Sequence, residues 1–286
     1  MTGYRTILAC LSDPDSAPAT LGLALLVGRE YSAHVEAMHV RIDAASALPL
    51  VGEGMSAAMV QEMLAAAERQ ALDRAARIRA EYDQACARLG VPTVTAPPAP
   101  DQATANWREE MGREEEIVAN AGRLTDLLVM ARPLPDRDTP SIMTLNAALM
   151  ESGRPVLLAP PQQPSAVGRK IAVFWNGSAE ASRAVLAAMP FLKRASGIII
   201  LSAREEEAAI PSELAGYLAW HGVQANVHSF VAGNQVGPTL LAEAKAAGAD
   251  LIVMGAYTHS RLRQLILGGV TRQVLHEATM AVLLCH

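Results

Sequence analysis

Two short segments of the chain, Asp126–Met130 and Asp250–Met254, have almost the same sequence. In each, four apolar residues follow an aspartate, and an unbroken apolar run of this length is typical of a strand covered on both faces of a sheet. Gly255 follows the second segment at once, whereas no glycine follows the first until Gly153. We therefore predict a duplicated fold in which only the second copy keeps a glycine-bearing loop between strand and helix, a loop type that can hold a phosphate.

The patterns around the two segments repeat as well. Lys170–Trp175 has the apolar pattern of Thr6–Leu11, and each half alternates five predicted strands with four predicted helices. Because crossovers between parallel strands are right-handed, this alternation predicts an α/β fold of two tandem doubly wound domains, each a five-stranded parallel sheet with helices on both faces. The domains are predicted at residues 1–159 and 169–286, and a polar, proline-rich linker at 160–168 joins them.

Two elements of the first half are less regular than the rest. A proline-free helical pattern runs from Met55 to Leu89 with a single apolar stripe, and we expect it to cover the sheet, a partner-docking surface being the alternative. A weak strand is predicted at Thr93–Ala96. The next helix is predicted to begin at the acidic run Glu114–Glu116, because acids near a helix N-terminus interact favourably with its dipole.

Composition excludes several classes of function. The formal net charge is −5 and the pI is about 5.8, which argues against nucleic acid or an anionic membrane as a partner held by bulk charge. The apolar runs are too short to span a bilayer, and the N-terminal residues do not have the pattern of a signal peptide. We therefore expect a cytoplasmic protein.

The cysteines and histidines predict no metal site and no disulfide framework. Cys10, Cys86 and Cys285 lie far apart and form no Cys-x-x-Cys pair, which fits a reducing compartment. His276, Cys285 and His286 lack the compact spacing of metal ligands. Neither a G-x-S-x-G elbow nor a Walker lysine motif is present, so we predict no catalytic residue and no P-loop NTPase.

Three segments of the second half carry a family resemblance: Asn176-Gly-Ser178 after the first strand, Gly248–Gly255, and Leu267–Leu284. In these segments the chain resembles the universal stress protein (UspA-like) family, and its duplication resembles the tandem form of that family. The resemblance covers the whole chain and is closest from Lys170 onward. It implies an adenine-nucleotide alpha hydrolase-like fold, a role in the stress response, and ATP, with Mg²⁺, as the cofactor to test.

ATP-binding members of that family carry G-x2-G-x9-G-[S/T] after the fourth strand, with the glycine amides and the final hydroxyl on the phosphates. Gly255 and Gly268 match the first and third glycines, whereas Thr258 replaces the second and Gly269 replaces the Ser/Thr. A β-branched residue resists positive φ by roughly 1–2 kcal/mol, which makes the Thr258 replacement unfavourable for close approach to a phosphate. Thr271 coincides with a further hydroxyl position.

The resemblance and the crevice expected at the carboxyl ends of the strands together define the predicted site. Its residues are Asn176, Ser202, Gly255, Thr258, His259, Gly268, Gly269, Val270 and Thr271. Each has a structural alternative that stays open: the loop glycines serve packing, Asn176 serves as a helix N-cap, and His259 and Arg261 are surface loop residues. Trp175 either flanks a ligand or serves packing.

The first half is predicted to be structural. Arg132, Arg137 and Asp138 lie where its phosphate loop would be, but prolines at 133, 135 and 140 remove amides that a phosphate cradle needs. It would then be the pseudo-symmetric partner of the second half within one chain, and a homodimer of chains is also open.

Three functions remain to be separated. The first is a stress-response sensor or regulator that binds a small ligand, with an adenine nucleotide as the leading candidate, in its second half. The second is a nucleotide-free scaffold in which Val156–Ala159 and Val282–Cys285 pair the two halves or two chains. The third is a weak ATP hydrolase, which has the least support because His259 is the only base evident in the loop.

Overall fold

The computed structural model describes residues 3–41, 56–96, 101–133, 141–203, 210–233, 235–257 and 269–286. Its first half contains five strands and four described helices. In chain order these are β1 (Thr6–Cys10), α1 (Ala17–Tyr31), β2 (His34–Arg41), α2 (Ala57–Leu89), β3 (Thr104–Met111), α3 (Glu114–Gly122), β4 (Leu127–Met130), α4 (Ile142–Glu151) and β5 (Val156–Leu158).

The second half repeats the alternation with shorter helices. Its elements are β6 (Lys170–Phe174), α5 (Ala179–Ala187), the single turn α6 (Met189–Leu192), β7 (Gly197–Ala203), α7 (Pro211–Trp220), β8 (Asn226–Phe230), α8 (Val236–Ala246), β9 (Leu251–Gly255), α9 (Gly269–Glu277) and β10 (Ala281–Cys285). The two near-identical segments are the buried strands β4 and β9, as their apolar runs predict.

The ten strands of the described residues belong to one sheet, in the order β3-β2-β1-β4-β5-β10-β9-β6-β7-β8. The strands within each half are parallel, which confirms the doubly wound α/β fold class. The two halves meet through β5 and β10, which pair antiparallel with Val282 opposite Leu158. The two predicted sheets are therefore joined into one, and the terminal strands pair within a single chain.

Helices cover both faces of this sheet, and a hydrophobic core lies on each side. On one face, α1, α2, α5 and α7 pack over residues such as Ile7, Val129 and Val253. On the other, α3, α4, α8 and α9 pack over residues such as Leu128 and Ile252. Alternate residues of each central strand thus enter opposite cores, which is why the strand sequences are apolar without alternation.

The third strand of the first half is not where the sequence predicts it. The predicted strand Thr93–Ala96 makes only an isolated bridge, between Thr93 and Ala105, and the strand itself is β3. Because β3 lies at the edge of the sheet, its outer part is polar and has no apolar run to reveal it. Arg108 of β3 forms ion pairs with Glu36 at 3.1 Å and Glu110 at 2.9 Å.

The long helix α2 packs along only part of its length. Ala75, Ile78 and Tyr82 of the predicted stripe are buried, whereas Met59 and Met63 in the first turns are exposed. Gly90 ends the helix in the left-handed conformation, as expected for glycine after the last turn. Met55, where the sequence places the start, lies outside the described residues.

Within the described ranges, no helix has both the length and the apolar character needed to cross a membrane.

Candidate functional site

The carboxyl ends of β6, β7 and β9 lie side by side in the second half. Phe174 of β6 is in register with Leu201 of β7 and with Met254 of β9, and neighbouring strands are about 4.8 Å apart. The next residues, Trp175, Ser202 and Gly255, therefore line one edge. The chain leaves β6 towards β7 on one side and returns to β9 on the other, so this edge is the topological switch point where doubly wound sheets bind ligands.

Asn176 shapes the turn that leads into α5. Its side-chain oxygen accepts a hydrogen bond from the backbone N–H of Ser178 at 3.1 Å, and Gly177 between them has φ +75°. The N-cap of α5 is Ser178, whose hydroxyl accepts from the N–H of Ala181 at 3.1 Å. Asn176 therefore stabilises the turn before α5, and the N-cap itself is Ser178.

One polar group at this edge has no partner among the described residues. The indole N–H of Trp175 is buried without a hydrogen-bond acceptor. The side chain of Ser202 is 2 % exposed and lies opposite Ser229 of β8. A buried donor without a partner costs about 1–3 kcal/mol, so an acceptor from a bound molecule would be stabilising here.

Gly255 is required by packing. A Cβ at this position would lie 2.5 Å from the backbone nitrogen of Ala181 and 2.7 Å from the carbonyl carbon of Glu180. The first turn of α5 therefore sits directly against the end of β9. The two elements can pack this closely only because residue 255 has no side chain.

The helix α9 presents its N-terminus at the same end of the domain. A Cβ added to Gly269 would meet no atom of the described residues within 4 Å. Val270 is partly buried, and Thr271 is 5 % exposed. The helix N-terminus favours negative charge. Of the predicted site residues, Thr258, His259 and Gly268 lie outside the described part of the chain, as does Arg261.

The equivalent place in the first half is occupied by a carboxylate. Glu114, the first residue of α3, accepts hydrogen bonds from the hydroxyls of Ser12, after β1, and Thr144, in the first turn of α4, the latter at 3.0 Å. The N-cap of α4 is Ser141, whose hydroxyl lies 3.0 Å from that of Thr144. The first half thus supplies its own anion near a helix N-terminus. The sequence indicated only that Glu114 begins a helix.

Burial raises the pKa of Glu114, and the hydrogen bonds from Ser12 and Thr144 oppose that change. The folded state therefore binds the proton more tightly than the unfolded state, so the contribution of this group to stability is lost as pH rises through the folded pKa. Glu114→Gln is expected to flatten this decline. Urea unfolding across the acidic range checks it, with the exposed Glu116→Gln as the control, and equal pH dependence of both variants would contradict it.

Arg132, which follows β4, reaches from the first half into the second. The residue is 7 % exposed, and its guanidinium donates to the carbonyls of Ala159 at 3.2 Å, Met280 at 3.1 Å and Ala278. Burial lowers its pKa to about 10, so the group remains charged at neutral pH. Because Ala278 directly follows α9, this cation caps the carboxyl end of the helix whose N-terminus faces the candidate site.

Tyr257, just after β9, makes the reciprocal contact. It is 5 % exposed, has φ +67°, and donates its hydroxyl hydrogen bond to the side-chain oxygen of Asn146 on α4. Positive φ is unfavourable for an aromatic residue, and the buried hydrogen bond between the halves accompanies this conformation. Of the first-half loop residues singled out in the sequence, Arg132 thus contacts the other half, whereas Arg137 and Asp138 lie outside the described residues.

The metal and nucleophile alternatives gain no support. Among the described residues, no three His, Cys, Asp or Glu side chains cluster as a metal site. Burial raises the pKa of Cys285 to about 12, so this thiol is protonated and unreactive at neutral pH.

Comparison with known proteins agrees with the fold and gives a family match for one part of the chain. The model of the Universal stress protein family matches residues 200–286. A universal stress protein from Archaeoglobus fulgidus is similar in structure, with a TM-score of 0.62, 16% identity, and coverage of 98% of this chain and 97% of that one. A Pseudomonas aeruginosa protein described as a universal stress protein has a TM-score of 0.56 at 15% identity, over 99% and 94% of the two chains. Comparison with curated proteins gives no match.

The chain has the doubly wound α/β fold of these solved structures, with a crevice at its topological switch point. The C-terminal part of the chain matches the model of the universal stress protein family, which confirms the resemblance noted in the sequence. The matched segment contains Ser202, Gly255 and the whole of α9.

Proposed function

We propose that this is a cytoplasmic stress-response protein whose second half binds an adenine nucleotide, with Mg²⁺, and acts as a sensor or regulator without rapid turnover. The family match over residues 200–286 supports the stress-response role. Three buried free cysteines, Cys10, Cys86 and Cys285, fit a reducing compartment.

One observation carries the ligand part of the proposal: the N-termini of the corresponding helices α4 and α9 differ in their contacts with carboxylates. In the first half, the carboxylate of Glu114 accepts from Thr144 in the first turn of α4. In the second half, no described carboxylate hydrogen-bonds to the first turn of α9. A helix N-terminus that already interacts with a carboxylate of the protein gains little from a bound anion. A helix N-terminus without such a carboxylate favours a bound anion such as a phosphate.

Further groups at the same end of the second half fit a nucleotide in kind. Trp175 offers a buried N–H donor to a sugar or base oxygen, and Thr271 carries a hydroxyl in the first turn of the helix. None of the described residues fills the space beside Gly269, which leaves room there for phosphate oxygens. These features all lie in the part of the candidate site that the structure describes.

Restoring the family hydroxyl is the sharpest test of nucleotide binding. Gly269→Ser places a hydroxyl at the helix terminus, where a Cβ meets nothing within 4 Å, so the fold is expected to tolerate it. One added hydrogen bond to a charged phosphate is worth about 1.5 kcal/mol or more, so ATP affinity measured by titration calorimetry with Mg²⁺ is expected to rise by about tenfold.

The matched control is Gly216→Ser on α7, an exposed helical glycine whose Cβ would also meet nothing. Its ATP affinity is expected to equal that of the wild type. Absence of heat for both the wild type and Gly269→Ser, at protein concentrations above about 100 μM, would contradict nucleotide binding. Phosphate release measured on the same samples separates a regulator from a weak hydrolase.

The strand pairing restricts the scaffold alternative, in which the terminal strands pair the two halves or two chains. β5 pairs with β4 and β10, and β10 pairs with β5 and β9, so both terminal strands have neighbours on each side within the chain. Pairing of strand edges between two chains would have to use β3 or β8 at the ends of the sheet. Homodimerisation stays a prediction, to be checked by sedimentation equilibrium with and without ATP.

A further inference from the structure

A second cavity lies at the seam between the two halves, away from the proposed nucleotide residues. It has a volume of ≈ 540 Å³ and is lined from the first half by the end of α4 and the loop before β5 and from the second half by α5, α6 and the end of β10. We call it the seam groove. Asn176, Ser202, Gly255 and the first turn of α9 do not line it.

The antiparallel junction of β5 and β10 creates this groove. Because these strands run in opposite directions, the amino end of β5 lies beside the carboxyl end of β10, and Pro155 and Cys285 both line the cavity. The loop before β5 and the helix α5 form opposite walls. The hydroxyl of Tyr4 donates to the carbonyl of Ala187 at 2.7 Å and holds the two walls together.

Part of the lining of the seam groove is apolar. Leu149, Leu186, Met189 and Pro190 line the groove, and Leu186 is 61% exposed. Burying apolar surface is worth about 25 cal/mol per Å². An apolar body placed here would therefore bind favourably.

The rim of the groove is cationic. Arg154, Arg183 and Lys193 line it and come from both halves. The side chain of Lys193 makes no hydrogen bond or ion pair with the described residues. Arg183 is paired with Glu180 at 2.9 Å and donates to the carbonyl of His286 at 2.8 Å, and Arg154 donates to the carbonyl of Arg123 at 3.0 Å. The acid that lines the groove, Asp126, already accepts from the backbone N–H groups of Arg5 and Thr6. The unpaired charge at the rim is thus positive.

We propose that the seam groove binds an amphipathic anion of the aliphatic carboxylate class. Its apolar body lies on Leu149, Leu186 and Met189, and its carboxylate lies at Lys193 and Arg154. An apolar floor with a few polar groups at one side is the usual composition of a small-molecule site. The charge of the rim selects against neutral and cationic amphiphiles of the same length.

Titration calorimetry of the full chain with dodecanoate, at concentrations below micelle formation, tests the proposal. We expect saturable binding with one site per chain. Dodecyltrimethylammonium, which has the same tail and the opposite charge, is expected to give no saturable binding. No saturable binding of dodecanoate, or equal binding of the two amphiphiles, would overturn the proposal.

Two substitutions on the surface of the groove locate the site. Leu186→Asp and Lys193→Glu are each expected to weaken dodecanoate binding by about tenfold, since each removes a contact and adds a repulsive charge. The matched controls are Val231→Asp, an exposed apolar position, and Lys245→Glu on α8, both outside the groove. Wild-type affinity in both groove variants would overturn the assignment.

ATP competition separates this site from the proposed nucleotide site. Dodecanoate binding is expected to be unchanged by saturating ATP with Mg²⁺ and by Gly269→Ser. Competition would place the amphiphile in the nucleotide crevice and would overturn the seam assignment. Failure of ATP to bind at all leaves the dodecanoate result intact, because the two measurements use different ligands.

Discussion

Arg132→Leu is expected to lower the free energy of unfolding by about 3 kcal/mol. The substitution removes a buried guanidinium that serves three backbone carbonyls, two of them in the other half of the chain. Leucine fills part of the space, but the carbonyls of Ala159, Ala278 and Met280 lose their donor. Each unpaired buried acceptor costs about 1–3 kcal/mol, only part of which relaxation and water can recover.

Urea denaturation measures this loss, and Arg123→Leu is the matched control. Arg123 is exposed, and its guanidinium donates to the carbonyl of Glu151 at 3.1 Å. The same chemical change at that surface position is expected to alter stability by less than about 0.5 kcal/mol. Equal losses in the two variants would show that the buried contact between the halves does not stabilise the fold.

The same variant reports on coupling between the halves. Because Arg132 caps the carboxyl end of α9, its removal is expected to increase hydrogen exchange in α9 and β10 more than in β7 or β8. A uniform increase across the second half would indicate that the effect is only a global loss of stability.

Gly255→Ala is expected to cost about 3 kcal/mol or to prevent folding. The added methyl group would lie 2.5 Å from the backbone nitrogen of Ala181, and backbone atoms of a packed helix cannot move aside as a flexible side chain can. The first turn of α5 would have to shift away from β9. That shift also opens the switch-point crevice, so nucleotide binding is expected to fall with stability.

Gly269→Ala is the control for this substitution. It is the same chemical change in the same candidate site, but its Cβ meets nothing within 4 Å. We expect unchanged or slightly higher stability, since alanine is the better helix former. Thermal unfolding of both variants checks the pair. Similar stability for the two would show that close packing at residue 255 is not the reason for its glycine.

Much of the fold follows from local sequence patterns. The apolar runs of β4 and β9 predict buried strands, and their alternation with helices predicts a doubly wound sheet, because these are properties of short segments. The position of β3 was not predicted, because an edge strand contacts one neighbouring strand and solvent and therefore needs no apolar run. Its position became visible only through its pairing with β2.

The place of the candidate site in the fold could be predicted from the sequence, whereas the contacts around it could not. The motif and the switch-point rule place Asn176, Ser202 and Gly255 at one edge of the sheet. The carboxylate of Glu114 in the first half, however, lies far along the chain from the hydroxyl of Ser12 that it accepts from. No local pattern indicates such a pairing, because it depends on how β1, α3 and α4 come together.

The sequence by itself determined that this is a duplicated α/β chain in which the second copy keeps glycines at its loop. Those features follow from the spacing of apolar residues and from single glycines, which few other residues can replace. Only the tertiary structure decided that the two sheets join through β5 and β10, that Arg132 and Tyr257 each contact the opposite half, and that a cationic groove opens at their seam. These are contacts between residues distant in sequence, and their energies depend on burial and geometry that exist only once the chain is folded.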